Sequence, residues 1–172
     1  MNVLMIVLRV IHIGSAVFWV GVSFFNIQYL QPSVRATAPE SMKLMQYLTQ
    51  RTHFLNAVYG FATATMLSGL IMYWIIFGFR IAAMLQPYGL VLGIGAVAGI
   101  VAWVFAIFIV RNLFNQMGAI NQAIQAQGGP PTPEQVEQLG ALSARLDRLG
   151  HVALGFLAIA MIAMASAQYV SF

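Results

Sequence analysis

The chain contains no cysteine, and only 7% of its residues are charged. The first absence excludes disulfides, thiolate metal sites and thiol chemistry. The second excludes an ordinary soluble domain, in which roughly a quarter of the residues carry charge. Acids are scarcest, with four Asp and Glu in 172 residues, and none of them falls inside a long apolar run. Those runs also lack lysine, so a carboxylate relay of the kind used by ion pumps is excluded. No glycine-rich phosphate loop follows a strand, and there is no pair of histidines with HExxH spacing.

What is present is overwhelmingly apolar, at 60% of the residues. Four runs, at about residues 3–29, 54–79, 88–112 and 150–170, each reach the roughly 20 residues needed to cross hydrocarbon. They predict an all-α integral membrane protein, one domain over 1–172 built as a four-transmembrane-helix antiparallel bundle. The N-terminal run has no basic flank and no small-residue cleavage site before polar sequence, so it reads as a retained span. Small residues in the third and fourth runs, Gly93, Gly95, Gly99 and the alanines after His151, suit close helix contact.

Two connections carry helix signals of their own. Thr37-Ala-Pro39-Glu40 and Thr132-Pro133-Glu134-Gln135 both match the capping box, in which N-cap and N3 side chains satisfy each other's backbone. The second helix is expected to run unbroken for about forty residues from Thr37, and the third to continue to Gly128-Gly-Pro-Pro131. Helices therefore extend well beyond the bilayer on one side. Arg35, Lys43, Arg51, Arg111, Arg145 and Arg148 lie on that side, against Arg9 and Arg80 on the other. The positive-inside rule puts the extensions in the cytoplasm of an inner-membrane protein, with both termini outside. The net charge of +4 is spread thinly, which excludes a nucleic-acid partner and leaves the lipid bilayer, other membrane subunits or a homo-oligomer.

Chemistry-bearing residues are few. In the first run His12, Ser15, Trp19, Ser23 and Asn26 recur at helical spacing and form a polar seam that should face other helices. His12, His53 and His151 lie in or beside spans, and imidazole is the usual axial ligand of haem in helical bundles. Counted along the helices, His53 and His151 share a depth and His12 lies far from it. Arg9 and Arg148 stand three residues before His12 and His151, where a guanidinium could meet a haem propionate. Gly60 and Gly155 would leave room for a flat macrocycle. The bland reading is that interfacial His and Arg reach for headgroups.

The pattern His12-x6-Trp19-x-Gly21, with Gln31-Pro32 after it, resembles the first helix of a group of small bacterial membrane proteins. The group includes the copper-resistance protein D-like family, the HemJ-type protoporphyrinogen oxidases and their uncharacterised four-helix relatives, which this chain looks most like. The resemblance covers residues 8 to 35 and implies haem b binding with His12 as an essential residue. The chain departs from the oxidases in having no lysine in the third or fourth span and no histidine in the third. Two functions follow as expectations. One is a haem b-binding redox membrane protein with His53, His151 or His12 on the iron. The other is a non-catalytic accessory or assembly subunit whose helical hairpins bind a partner.

Overall fold

A computed structural model describes residues 3–38, 40–78 and 80–170. Helix is continuous from Val3 to Ala36, as α1 (Val3–Phe25), a π-turn over Asn26–Leu30 and α2 (Gln31–Ala36). The first helix thus passes the expected stop at Gln31-Pro32. Proline lacks an N–H and crowds the carbonyl four residues back. The wider π-turn just before Pro32 relaxes both constraints, and the helix survives.

The second run is not one helix. After α3 (Glu40–Gln46) and a π-turn at Tyr47–Arg51, the backbone breaks at Thr52 with φ −107° and ψ 166°, and α4 begins at Phe54 and ends at Phe77. The Thr52 hydroxyl donates to the Leu48 carbonyl and accepts from the Phe54 N–H at 3.2 Å, closing one helix and opening the next. A threonine bonded this way competes with continuous helix. Near the first capping box, the Thr37 hydroxyl donates to the Ser33 carbonyl at 2.7 Å and so terminates α2. Pro39 and Phe79, within the expected box and the expected end of the second span, lie outside the described residues.

The short α5 (Ile81–Met84) returns the chain to α6 (Pro87–Val104), which continues through a third π-turn (Phe105–Val110) into α7 (Arg111–Gln127). Gly128, at φ +66°, closes α7 in the left-handed conformation that glycine tolerates best. The fourth helix, α8 (Pro133–Ser166), begins with the expected capping box. Thr132 accepts from the Gln135 N–H at 3.3 Å, and the Gln135 side chain accepts from the Thr132 N–H at 2.8 Å.

Four helical runs, Val3–Ala36, Phe54–Phe77, Pro87–Gln127 and Pro133–Tyr169, are long and apolar enough to cross a membrane. The third has 41 residues, about 62 Å at 1.5 Å per residue, twice the hydrocarbon thickness. The runs pack as two tight pairs, α1 on α4 and α6 on α8. Contacts of α4 with α6 and of α1 with α8 are sparser, so α4 and α8 stand diagonally. Close approach within the second pair has a visible cause. A Cβ on Gly95 would lie 3.1 Å from Met164 Cγ and 3.2 Å from Ala163 Cβ, so glycine lets α6 and α8 meet. All four helices contribute to one core, where Trp19, Ala62, Ala102 and Leu157 are buried together.

Candidate functional site

The core cluster marks a level from which the predicted site residues can be placed. His12 is seven residues from Trp19, about 10 Å toward the first terminus at helical rise. His53 and His151 fall about 13 and 9 Å on the opposite side, toward the ends of the helices that extend furthest. The first-helix seam faces inward, with Ser15 and Trp19 buried and His12, Ser23 and Asn26 half-buried.

His12 sits on the crossing of α1 and α4. Its Nδ1 lies 2.8 Å from the Thr65 carbonyl oxygen and 3.3 Å from Ser68 Oγ. A carbonyl only accepts, so Nδ1 carries the proton and Nε2 presents the lone pair. The ring lies against Gly69, where a Cβ would come within 2.8 Å of His12 Cε1. The space that glycine opens is thus filled by the imidazole itself. Arg9, one turn earlier, is exposed. In the motif His12-x6-Trp19-x-Gly21, the histidine links two helices and the tryptophan fills the core, while a side chain at Gly21 would touch nothing.

His53 and His151 are both exposed. His151 donates from Nδ1 to the Asp147 carbonyl at 2.9 Å, one turn back on its own helix. The Asp147 carboxylate pairs with Arg35 at 2.9 Å, not with the Arg145 and Arg148 beside it in sequence. Hydrogen bonding and charge from Arg35 hold the Asp147 carboxyl below the usual carboxylate range. This pair ties the end of the first helix to α8, and Arg148 is exposed.

A bis-histidine haem needs two imidazoles facing one another across a slab-shaped space. Next to His53 and His151 in sequence, the α4 and α8 residues that line the interior are Phe54, Leu55, Gly150, Ala153 and Leu154. Gly60 and Gly155, which would leave room beside a macrocycle, are exposed, and a Cβ on either would meet nothing. The three imidazoles as placed do not fit a bis-histidine haem inside the bundle. Among the described residues no group of three or more His, Cys, Asp or Glu could hold a metal ion.

The interior does contain a polar feature that motif reading missed. On the extension side of the core lies a cavity of about 80 Å³ walled by all four long helices. Ser23, Asn26 and Gln31 line it from the first helix and Tyr59 from α4, among apolar residues such as Ala106 and Leu154. Asn26 Oδ1 and the Tyr59 hydroxyl are buried and have no hydrogen-bond partner among the described residues. Arg111 stands over the Tyr59 ring, 5.7 Å from its centroid. Two π-turns, Asn26–Leu30 and Phe105–Val110, fall in the cavity wall. Comparison with protein-family models, curated proteins and solved structures finds no match to the chain.

Proposed function

We propose that the chain is a multi-pass inner-membrane protein, an antiparallel four-span bundle with both termini outside. We infer that it works as a non-catalytic accessory or assembly subunit through its cytoplasmic helical extension. The observation that carries this reading is that the extension is built rather than frayed. The Arg35–Asp147 pair joins α2 to α8 at 2.9 Å, and the Ser41 hydroxyl donates to the Val34 carbonyl at 2.7 Å across the α2–α3 turn. Gln127 and Gln135 clasp the α7–α8 hairpin, each side-chain amide donating a hydrogen bond to the other's oxygen at 3.2 and 3.3 Å. Long helices held in register beyond the bilayer present a fixed polar surface, which suits docking by a partner.

The redox alternative, haem b held by His53, His151 or His12, keeps one favourable feature. His12 and His151 each direct Nδ1–H to a backbone carbonyl, as metal-bound histidines do. It lacks a facing pair and an interior slab. Two measurements test the proposal together. A photo-crosslinking residue at Gln50 or Gln122 in living cells should give one discrete adduct with a second polypeptide, while Val97 on the lipid-facing side should not. Absence of any adduct at both extension positions would overturn the accessory reading. Protein purified from haem-sufficient cells should show no Soret band, and a stoichiometric low-spin spectrum would restore the redox reading.

A further inference from the structure

We propose that the cavity beside Asn26 and Tyr59 is an internal hydration site, a binding site for a small cluster of water molecules. The first argument is chemical. A buried acceptor or donor left unpaired loses its hydration without replacement, which folded proteins avoid by supplying a partner or an ordered water. Asn26 Oδ1 can only accept and the Tyr59 hydroxyl can donate and accept. Both line the same space. A water molecule offers donors to the amide oxygen and an acceptor to the phenol, so one kind of ligand satisfies both groups.

The second argument is size. A volume of about 80 Å³ accommodates roughly two or three waters at about 30 Å³ each. An apolar cavity known to admit benzene is about 150 Å³, nearly twice this volume. The occupant is thus a small hydrogen-bonding molecule. Water, the smallest and most abundant, has the polar partners it needs, with Ser23 and Gln31 in the same wall.

The third argument is backbone geometry. π-turns commonly mark functional positions in helices. Here two of them, from different helices of the bundle, border one cavity. The wider turns redirect side chains on both walls, and the cavity stands at the loose seam between the α1–α4 and α6–α8 pairs. On the other side of the core a direct bond does the joining, from His12 to the Thr65 carbonyl, and at the level of the core itself Trp103 Nε1 donates to Thr63 Oγ1 at 3.2 Å. At the cavity, water takes the place of such direct interhelical bonds, short of the Arg35–Asp147 pair that closes the extension.

The test uses the full chain in nanodiscs and radiolytic labelling, in which X-rays convert bound water to hydroxyl radicals that oxidise adjacent rings. Tyr59 should label at least several-fold faster than Tyr73, a half-buried ring of the same chemistry on the same helix that lines no part of the cavity. Ala106→Leu, which projects into the cavity, should suppress labelling at Tyr59 and leave that at Tyr88 unchanged. Equal labelling of Tyr59 and Tyr73, or indifference of Tyr59 to Ala106→Leu, would overturn the proposal. Where Ala106→Leu fails to fold, Tyr59→Phe and Asn26→Leu provide the second arm. Each should lower the folded-to-unfolded ratio several-fold, with the double variant losing less than the product of the two, because shared water couples them. A rise in stability for both single variants would mean a dry cavity relieved of unpaired polar atoms, and would equally overturn it.

Discussion

Replacing Gly69 with alanine tests whether His12 is the lock between the first two long helices. The new Cβ would stand 2.8 Å from His12 Cε1 and 3.1 Å from Nδ1, closer than carbon contacts allow. The ring must turn away, and turning it breaks the 2.8 Å bond to the Thr65 carbonyl. An interhelical hydrogen bond in a membrane bundle is worth about 0.6 kcal/mol on average and up to about 1.7. Forced repacking adds about 1–3 kcal/mol. Alanine in place of a helical glycine returns about 0.8–1 kcal/mol through propensity. The net expectation is a destabilisation of about 1–3 kcal/mol. In a His12→Ala background the clash and the bond are both gone, and only propensity remains. Gly69→Ala should there stabilise by up to about 1 kcal/mol. The sign of the same substitution inverts between backgrounds, which is the signature of direct contact in a double-mutant cycle. Reversible unfolding in bicelles, followed by steric trapping, reads all four variants. Equal effects of Gly69→Ala with and without His12 would refute the contact.

Three further outcomes follow from the described geometry. Because the chain has no cysteine, single cysteines at Gln46 and Gln138 give clean labels. Both should react with an impermeant maleimide only after the inner membrane is opened, and reaction in intact spheroplasts would reverse the orientation. Thr132→Ala removes an N-cap worth about 1 kcal/mol, so amide exchange at Glu134 to Val136 should accelerate about five-fold, while exchange near Leu157 stays unchanged. Asp147 has its carboxyl held low by Arg35, so its contribution is complete above the ordinary Asp value of about 3.9. It is lost as pH falls through the lower folded value. The pair is exposed and worth under about 1 kcal/mol. A spin-label distance between α2 and α8 should lengthen on acidification, and Arg35→Ala should remove that pH response. An unaltered response in Arg35→Ala would show that another group titrates.

What could be read from residue order was local or periodic. The capping box at Thr132 and Gln135 needs only four consecutive residues, and it formed as expected. The inward seam of the first helix follows from a spacing that any α-helix imposes. The break at Thr52 was hidden because apolar periodicity continues on both sides of it. Its one local signal is a threonine two residues ahead of Phe54, positioned to bond both helix ends. The π-turns were invisible because one extra residue per turn changes no composition. Asp147 stands beside two arginines in sequence yet bonds Arg35, which lies on a different helix. Charge adjacency along the chain therefore says nothing of this pair, which only the packing of the two helices brings together. Gly69, Tyr59 and Arg111 were missed for the same reason. Each matters through a residue more than fifty positions away, and no motif spans such a distance.

The first helix shows how one polar stripe can serve three different ends. His12 closes directly on α4, with a glycine cut away to receive its ring. Trp19 fills the centre of the core, where tight apolar contact leaves no room for a polar group. Asn26 sits at the start of a π-turn, and its side-chain oxygen has no hydrogen-bond partner among the described residues. Had these residues been equivalent, the stripe would have locked α1 along its whole length. Instead direct bonding lies on one side of the core, and an unpaired amide beside a cavity lies on the other. Stiffness should therefore fall from His12 toward Arg35, with the helix at its most adjustable just before the Arg35–Asp147 pair. Beyond that stretch the Arg35–Asp147 pair holds the helix ends in register, while His12, Thr65 and Ser68 keep the far half assembled.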